Sequence, residues 1–290
     1  MQPKISAACF IRDNQVGAFC LWESLCTFLP LVDEYVILDF GSTDGTLELL
    51  FRLAKQNPKI KVHQRKFAEG EIAREREKIF ATMANEVIGL CQFDVILYHQ
   101  ADEIAHEDLI PKIQAELEKP IGEDWRGLSF IRYQLQENFQ RMKWLPHVVK
   151  RFGLKKDFLF VGDGMNAEKY GDGILVGDVP MCEWETLYKE RYTEIPSNMM
   201  LLDVSMTGGF LENIEMRRKL HAPLWGESAE ILYGVDGGSA NLKEWMMRQR
   251  NNPNWTKRSS PFNIPAVMMG LVGETKYKAR GELLAKIARM

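Results

Sequence analysis

Two acidic turns about sixty residues apart could do chemistry. Asp39-Phe40-Gly41-Ser42-Thr43-Asp44-Gly45-Thr46 follows the apolar run Tyr35 to Leu38, and Gln100-Ala101-Asp102-Glu103 follows Asp94 to His99. Carboxylates at strand ends accept hydrogen bonds from ligand N–H and hydroxyl groups, and they hold hard divalent cations. The same residue types also close ordinary strand-to-helix turns. Other groups with chemical potential are Arg12-Asp13-Asn14 behind the first apolar run, Arg74 in Ala73-Arg74-Glu75-Arg76, and Asp163 between two glycines. Glu168, Glu212, His147 and His221, the last behind Arg217-Arg218-Lys219, complete the set. Each has a plain alternative. Arg74, Arg76 and Lys78 interleave with Glu71, Glu75 and Glu77 as on a solvated helix face. Glu103 and His106 at i and i+3 are either cap and surface residues or half of a carboxylate–histidine metal pair.

The elements that must position these groups alternate. Ile5 to Ile11 reads as a buried strand and Val16 to Leu29 as a helix ending near Pro30. Tyr35 to Leu38 is a second strand. The helix opening at Thr43 or Asp44 stops before Pro58, and Ile60 to His63 is a third strand. Ile72 to Leu90 reads as a long amphipathic helix and Asp94 to His99 as a fourth strand. Strand and helix in repetition predict a parallel sheet covered on both faces, with ligands beyond the carboxyl ends of its strands. Beyond residue 121 the pattern loosens. Leu128 to Tyr133 and Phe158 to Val161 read as strands, 251–265 as a proline-rich loop, and Glu274 to Arg289 as a terminal amphipathic helix.

The composition bounds the rest. The chain has 290 residues, 46% hydrophobic and 27% charged, with 37 basic against 40 acidic side chains and a net charge of -3. That excludes collagen, coiled coil and a disordered chain, and offers no general reason to bind nucleic acid or an anionic membrane. Five cysteines without a CxxC pair read as buried thiols in a reducing compartment. No apolar run is long enough for a signal peptide or membrane span, so the expected location is cytoplasmic and the sequon at Asn254 stays unglycosylated.

Together the two turns resemble the nucleotide-binding half of family 2 glycosyltransferases. The run at 39–46 is similar to that family's D-D-G-S-T-D-G-T turn, and Gln100 to Glu103 looks like a Q-A-D-E form of its D-x-D metal motif. Arg74 falls where the family often has an alanine-arginine-asparagine run. The resemblance covers roughly 4 to 110, fades through about 225, and gives nothing for the rest. It implies an α/β GT-A fold with a mostly parallel central sheet flanked by helices and a C-terminal helical extension. The corresponding divisions are 1–120 for the nucleotide-sugar half, 121–225 for the acceptor half of the same domain, and 226–290 for the extension.

The function it implies is transfer of a sugar from a nucleotide diphosphate sugar, a UDP-sugar by resemblance, to a hydroxyl of a glycan, lipid-linked or small-molecule acceptor, with inversion. Departure of a diphosphate needs positive charge, which Mg2+ or Mn2+ supplies when held by a carboxylate. Asp102 is the first ligand expected, with Glu103 either a second ligand or a support for Asp102, and His221 a late one. Asp39 can accept from a base or ribose, Arg74 can meet base or phosphate, and Arg12 and Gln100 complete the nucleotide side. Asp163 is the first choice of base for the attacking hydroxyl, with Glu168 and Glu212 as alternatives.

Two positions depart from the family pattern: Phe40 stands for the second acid of the first turn, and Gln100 for the first Asp of D-x-D. They leave open a non-catalytic nucleotide- or carbohydrate-binding module. A sugar nucleotidyltransferase is the other alternative, against which the first loop lacks a glycine-rich phosphate cradle.

Overall fold

The computed structural model describes residues 3–17, 20–68, 71, 78–136, 141–143, 147–161, 166–167, 174–175, 181–184, 255–257 and 276–290. In chain order the first half runs β1 (Ile5–Ile11), α1 (Asn14–Gly17), α2 (Leu21–Phe28), β2 (Glu34–Asp39), α3 (Thr46–Gln56), β3 (Ile60–Gln64), α4 (Ile79–Leu90) and β4 (Val95–Tyr98). There follow β5 (Glu103–Ala105), α5 (Ile110–Leu117), β6 (Leu128–Gln136), β7 (Arg141–Lys143), β8 (His147–Leu154) and β9 (Phe160–Val161). The remaining elements are β10 (Asn166–Ala167), β11 (Ile174–Leu175), β12 (Met181–Trp184), β13 (Trp255–Lys257) and α6 (Lys276–Ile287).

The main path of the sheet is β13-β7-β6-β8-β4-β1-β2-β3. β4, β1, β2 and β3 are parallel, whereas β8 joins β4 antiparallel and begins an antiparallel half. The chain winds outward from β1 through β2 to β3, then returns to pair β4 on the other side of β1. Strand order therefore reverses at β1, and the crevice over its carboxyl end is where such sheets bind ligands.

Burial on both faces explains the unbroken apolar runs. Every residue of β2 is buried. Tyr35 and Ile37 join a core with Trp22, Leu25, Phe28, Leu50 and Leu53, while Val36 and Leu38 meet Ile79, Met83, Val87 and Tyr98 on the other face. Strand periodicity sends neighbours to opposite layers, and both layers are helical here. At the start of β6 the backbones approach so closely that a Cβ on Gly127, whose φ is +84°, would lie 2.0 Å from the Phe152 carbonyl oxygen.

Several boundaries differ from those expected. The helix read as Val16 to Leu29 is two pieces, α1 and α2, and Glu103 opens the short strand β5, which pairs antiparallel with β12. All eight residues of α2 are buried, Glu23 and Thr27 included. The cause lies at the far end of the chain: α6 packs over α2, its Ile287 side chain is fully buried, and Asn57 Nδ2 donates to the Ile287 carbonyl at 2.9 Å. The terminal helix thus completes the core of the first half. Cys9, Cys20, Cys26 and Cys91 are buried free thiols, as expected. Among the described residues no helix is long and apolar enough to cross a membrane.

Candidate functional site

The loops behind β1 and β2 are clasped together. Asp13, buried and with φ at +52°, accepts from the Thr43 backbone N–H at 2.6 Å and from the Thr43 hydroxyl at 3.3 Å. Its own N–H donates to Ser42 Oγ at 2.8 Å, and the Gln15 N–H donates to Thr46 Oγ1 at 3.2 Å. Burial raises the Asp13 carboxyl above its ordinary range, while the Thr43 N–H acts in the opposite sense. The second loop turns through Gly41 at φ +101°, in the left-handed region that glycine occupies without strain.

Asp39 ends β2 directly opposite Ile11 of β1. One carboxylate oxygen, Oδ1, accepts from the N–H groups of Gly41 and Ser42, both at 3.0 Å. The other, Oδ2, is buried with no hydrogen-bond partner. Next to this strand end Arg12 pairs through Nε with Asp13 at 3.2 Å, and its Nη1 is likewise buried without a partner. An unpaired buried acceptor and donor each cost about 1–3 kcal/mol in a dry interior, a cost that water or a polar ligand at this strand end would remove. Phe40, where an acid was the family pattern, belongs to the apolar layer and packs edge-on against Phe10 at 5.7 Å.

On the other side of β1, residues 100–103 form a tight turn in which the Glu103 N–H donates to the Gln100 carbonyl at 3.1 Å. The Gln100 N–H donates back to Glu103 Oε2 at 3.0 Å. Asp102 sits third in this turn, 7% exposed. Glu103 is fully buried and gripped by Arg151 of β8, which donates from Nε to Oε2 at 2.7 Å and from Nη2 to Oε1. Beneath the turn, His99 Nδ1 lies 2.8 Å from the Gln100 carbonyl oxygen, and its Nε2 meets the Tyr35 hydroxyl. Burial pushes the His99 imidazole down to about 4 and the Tyr35 hydroxyl well up.

The structure therefore brings Arg12, Asp39, Gln100, Asp102 and Glu103 to the carboxyl ends of three adjacent strands. Glu103 and His106 serve separate partners, since His106 Nδ1 accepts from the Asp108 N–H at 3.1 Å. Arg74, Asp163, Glu168, Glu212 and His221 lie outside the described residues. Sequence reasoning named Asp13 only as part of the Arg12-Asp13-Asn14 loop and passed over His99, Tyr35 and Arg151. Asp13 adjoins a residue it did single out, but Arg151 is distant in sequence from its partner and carries no local signal.

The donor set can be tested against a divalent ion. Among the described residues no group of three or more His, Cys, Asp or Glu side chains is placed to hold a metal. Both Glu103 oxygens are engaged by Arg151, and Asp102 is the other carboxylate of the turn. A single carboxylate fits an ion such as Mg2+ or Mn2+ that takes its other ligands from diphosphate oxygens and water.

Residues 21–159 match the model of glycosyl transferase family 2, so this span is a family 2-like glycosyltransferase domain with the GT-A fold. The Arg12–Asp13 loop precedes the matched span. No curated protein matches the chain in sequence. Among solved structures it is similar to TarS 1-349 of S. aureus, at 11% identity and a TM-score of 0.39 over 97% of this chain and 80% of that one. It is also similar to glucosyl-3-phosphoglycerate synthase from Mycobacterium tuberculosis, solved with Mn2+, uridine-diphosphate and glucosyl-3-phosphoglycerate, at 18% identity and a TM-score of 0.28. That likeness covers 46% of this chain and 44% of the other. A third, 4-diphosphocytidyl-2C-methyl-D-erythritol synthase from Anaerococcus prevotii, is 14% identical with a TM-score of 0.31 over 53% of this chain and 69% of that one. At TM-scores below 0.5, none of the three bears on what this chain binds.

Proposed function

We propose that this chain transfers a sugar from a UDP-sugar to an acceptor hydroxyl, with inversion and with the help of a divalent ion. The observation that carries the reading is the buried, unpartnered Oδ2 of Asp39 at the strand-order switch, on the opposite side of β1 from the Asp102 turn. A carboxylate accepts from the N3–H of uracil, and the Arg12 guanidinium donates to a neighbouring carbonyl or to a ribose oxygen. Asp102 and Gln100 are assigned to the diphosphate side, and Glu103, engaged by Arg151, to support of the turn rather than to a ligand. When bound, Mg2+ or Mn2+ would neutralise charge developing on the leaving diphosphate.

Arg74 is assigned to base or phosphate, Asp163 to proton removal from the acceptor hydroxyl with Glu168 and Glu212 as alternatives, and His221 to a late metal contact. A general base of this kind must reach the attacking hydroxyl within hydrogen-bond distance.

A thermal-shift panel of UDP, GDP, CMP and dTDP, each with and without Mn2+, tests the reading. A ligand that binds only the folded protein stabilises it by about 2.7 kcal/mol at a hundredfold excess over its Kd. UDP with Mn2+ should give the largest shift. A larger shift with another nucleotide, or none with any, contradicts the assignment.

A further inference from the structure

We propose that Tyr35 and His99 are a positioning pair that fixes the Gln100–Ala101 peptide and, through it, the place at which Asp102 stands in the site. This rests on the nucleotide and metal reading of the same turn.

The proton on the His99 ring is located by its neighbours. A carbonyl oxygen only accepts, so Nδ1, 2.8 Å from the Gln100 oxygen, carries the hydrogen and donates it. Nε2 is then the acceptor, and the Tyr35 hydroxyl donates to it. Ser24 Oγ of α2, 3.4 Å from Nδ1, is a further polar neighbour. Burial keeps the ring neutral, as this arrangement requires.

The ring itself is held by packing. It lies 4.5 Å from the Phe28 ring, and Tyr35 meets it edge-on at 5.4 Å and 74°. The chain of donors thus runs from β2 through the residue after β4 to the carbonyl that opens the turn. That carbonyl receives a second hydrogen bond from the Glu103 N–H, and the Gln100 N–H is held by the Glu103 carboxylate. Both backbone groups of Gln100 are therefore fixed, and a rotation of the Gln100–Ala101 peptide would break two hydrogen bonds at once. Cys20 Sγ, 3.9 Å from the next carbonyl, Ala101, adds a weak contact from the residue that precedes α2.

A fully buried histidine and tyrosine are costly core residues unless every polar atom is satisfied, and apolar residues of similar size would fill the space without that demand. What the polar pair adds is direction: a hydrogen bond aimed at one carbonyl. Groups that orient a metal-binding residue from behind typically change metal affinity by about ten- to a hundredfold when removed.

The test compares UDP affinity by calorimetry with and without Mn2+ in the full chain and in Tyr35→Phe, His99→Leu and His99→Asn, with melting temperatures taken in parallel. The quantity read is the factor by which Mn2+ tightens UDP binding. Tyr35→Phe and His99→Leu should lower that factor about tenfold, a larger change than in Mn2+-free UDP affinity. His99→Asn, whose Nδ2–H occupies the place of Nδ1–H and reaches the same carbonyl, should keep most of it. A packing role alone would favour Leu over Asn at this fully buried position, so folded His99→Leu with an undiminished factor overturns the proposal. If His99→Leu does not fold, Tyr35→Phe, which removes one hydroxyl, decides in the same way. Absence of any Mn2+ effect in the unsubstituted chain overturns the metal reading and the pair's role with it, and is told apart because no substitution is involved.

Discussion

Arg151 and Glu103, 48 residues apart in sequence, form a two-pronged ion pair in the interior, with Nε donating to Oε2 at 2.7 Å and Nη2 to Oε1. It ties the antiparallel half of the sheet to the turn that carries Asp102. Breaking a buried pair by removing one partner leaves an uncompensated charge and costs about 3–5 kcal/mol. Arg151→Ala should lose that much in urea unfolding. The double variant Arg151→Met with Glu103→Leu should recover much of the stability, because well-packed apolar residues replace such pairs at little cost. It should not recover Mn2+-dependent UDP binding, since the Gln100 N–H then loses its acceptor.

Asp39 offers a change of one atom. In Asp39→Asn the amide oxygen can keep the Gly41 and Ser42 N–H groups, while an NH2 replaces the unpartnered Oδ2. The site then presents a donor where uracil also presents one. UDP affinity should fall by at least about tenfold, the scale of a hydrogen bond to a charged group. CDP, whose cytosine N3 accepts, should be weakened less. Calorimetry with the two nucleotides checks the shift in preference toward CDP.

Burial lowers the His99 pKa from 6.5 to about 4. The unfolded chain therefore binds this proton at higher pH than the folded chain does, so stability is undiminished above 6.5 and falls as pH drops from 6.5 toward 4. The loss amounts to about 3 kcal/mol at the lower end, at about 1.4 kcal/mol for each pKa unit. Urea unfolding of the unsubstituted chain and of His99→Asn across this window should give a difference between them that shrinks as pH falls.

The terminal helix predicts a stability effect far from the site. Ile287 is fully buried and its carbonyl accepts from Asn57. Ile287→Ala should cost about 2–5 kcal/mol. Because α6 packs on α2, and α2 with the preceding Cys20 sets Cys20, Ser24 and Thr27 against residues 99–105, loss of α6 should also weaken UDP binding. Melting temperature and calorimetry on Ile287→Ala check the two effects separately.

The parallel half was legible because its signals are local. β1 to β4 show as apolar runs and each turn behind them shows as Asp, Gly, Ser and Thr, so Asp39 and Asp102 could be placed at strand ends before any coordinates. The complete burial of α2 was not visible, because part of its cover comes from α6, more than two hundred residues later. The link between Glu103 and Arg151 was hidden for the same reason: a strand register far along the chain brings them together. Phe40, which stands where the family pattern has an acid, lies in the apolar layer of the sheet.

The central claim, turnover of a UDP-sugar at the Asp39 and Asp102 strand ends, is tested most directly by following UDP release. A panel of UDP-sugars would be incubated with Mn2+ and the full chain, beside Asp102→Ala and beside UTP with sugar 1-phosphates as the alternative substrates. The account predicts UDP from at least one UDP-sugar with the unsubstituted chain, none with folded Asp102→Ala, and no pyrophosphate from UTP. Pyrophosphate release, or UDP binding with no release from any donor, would contradict it.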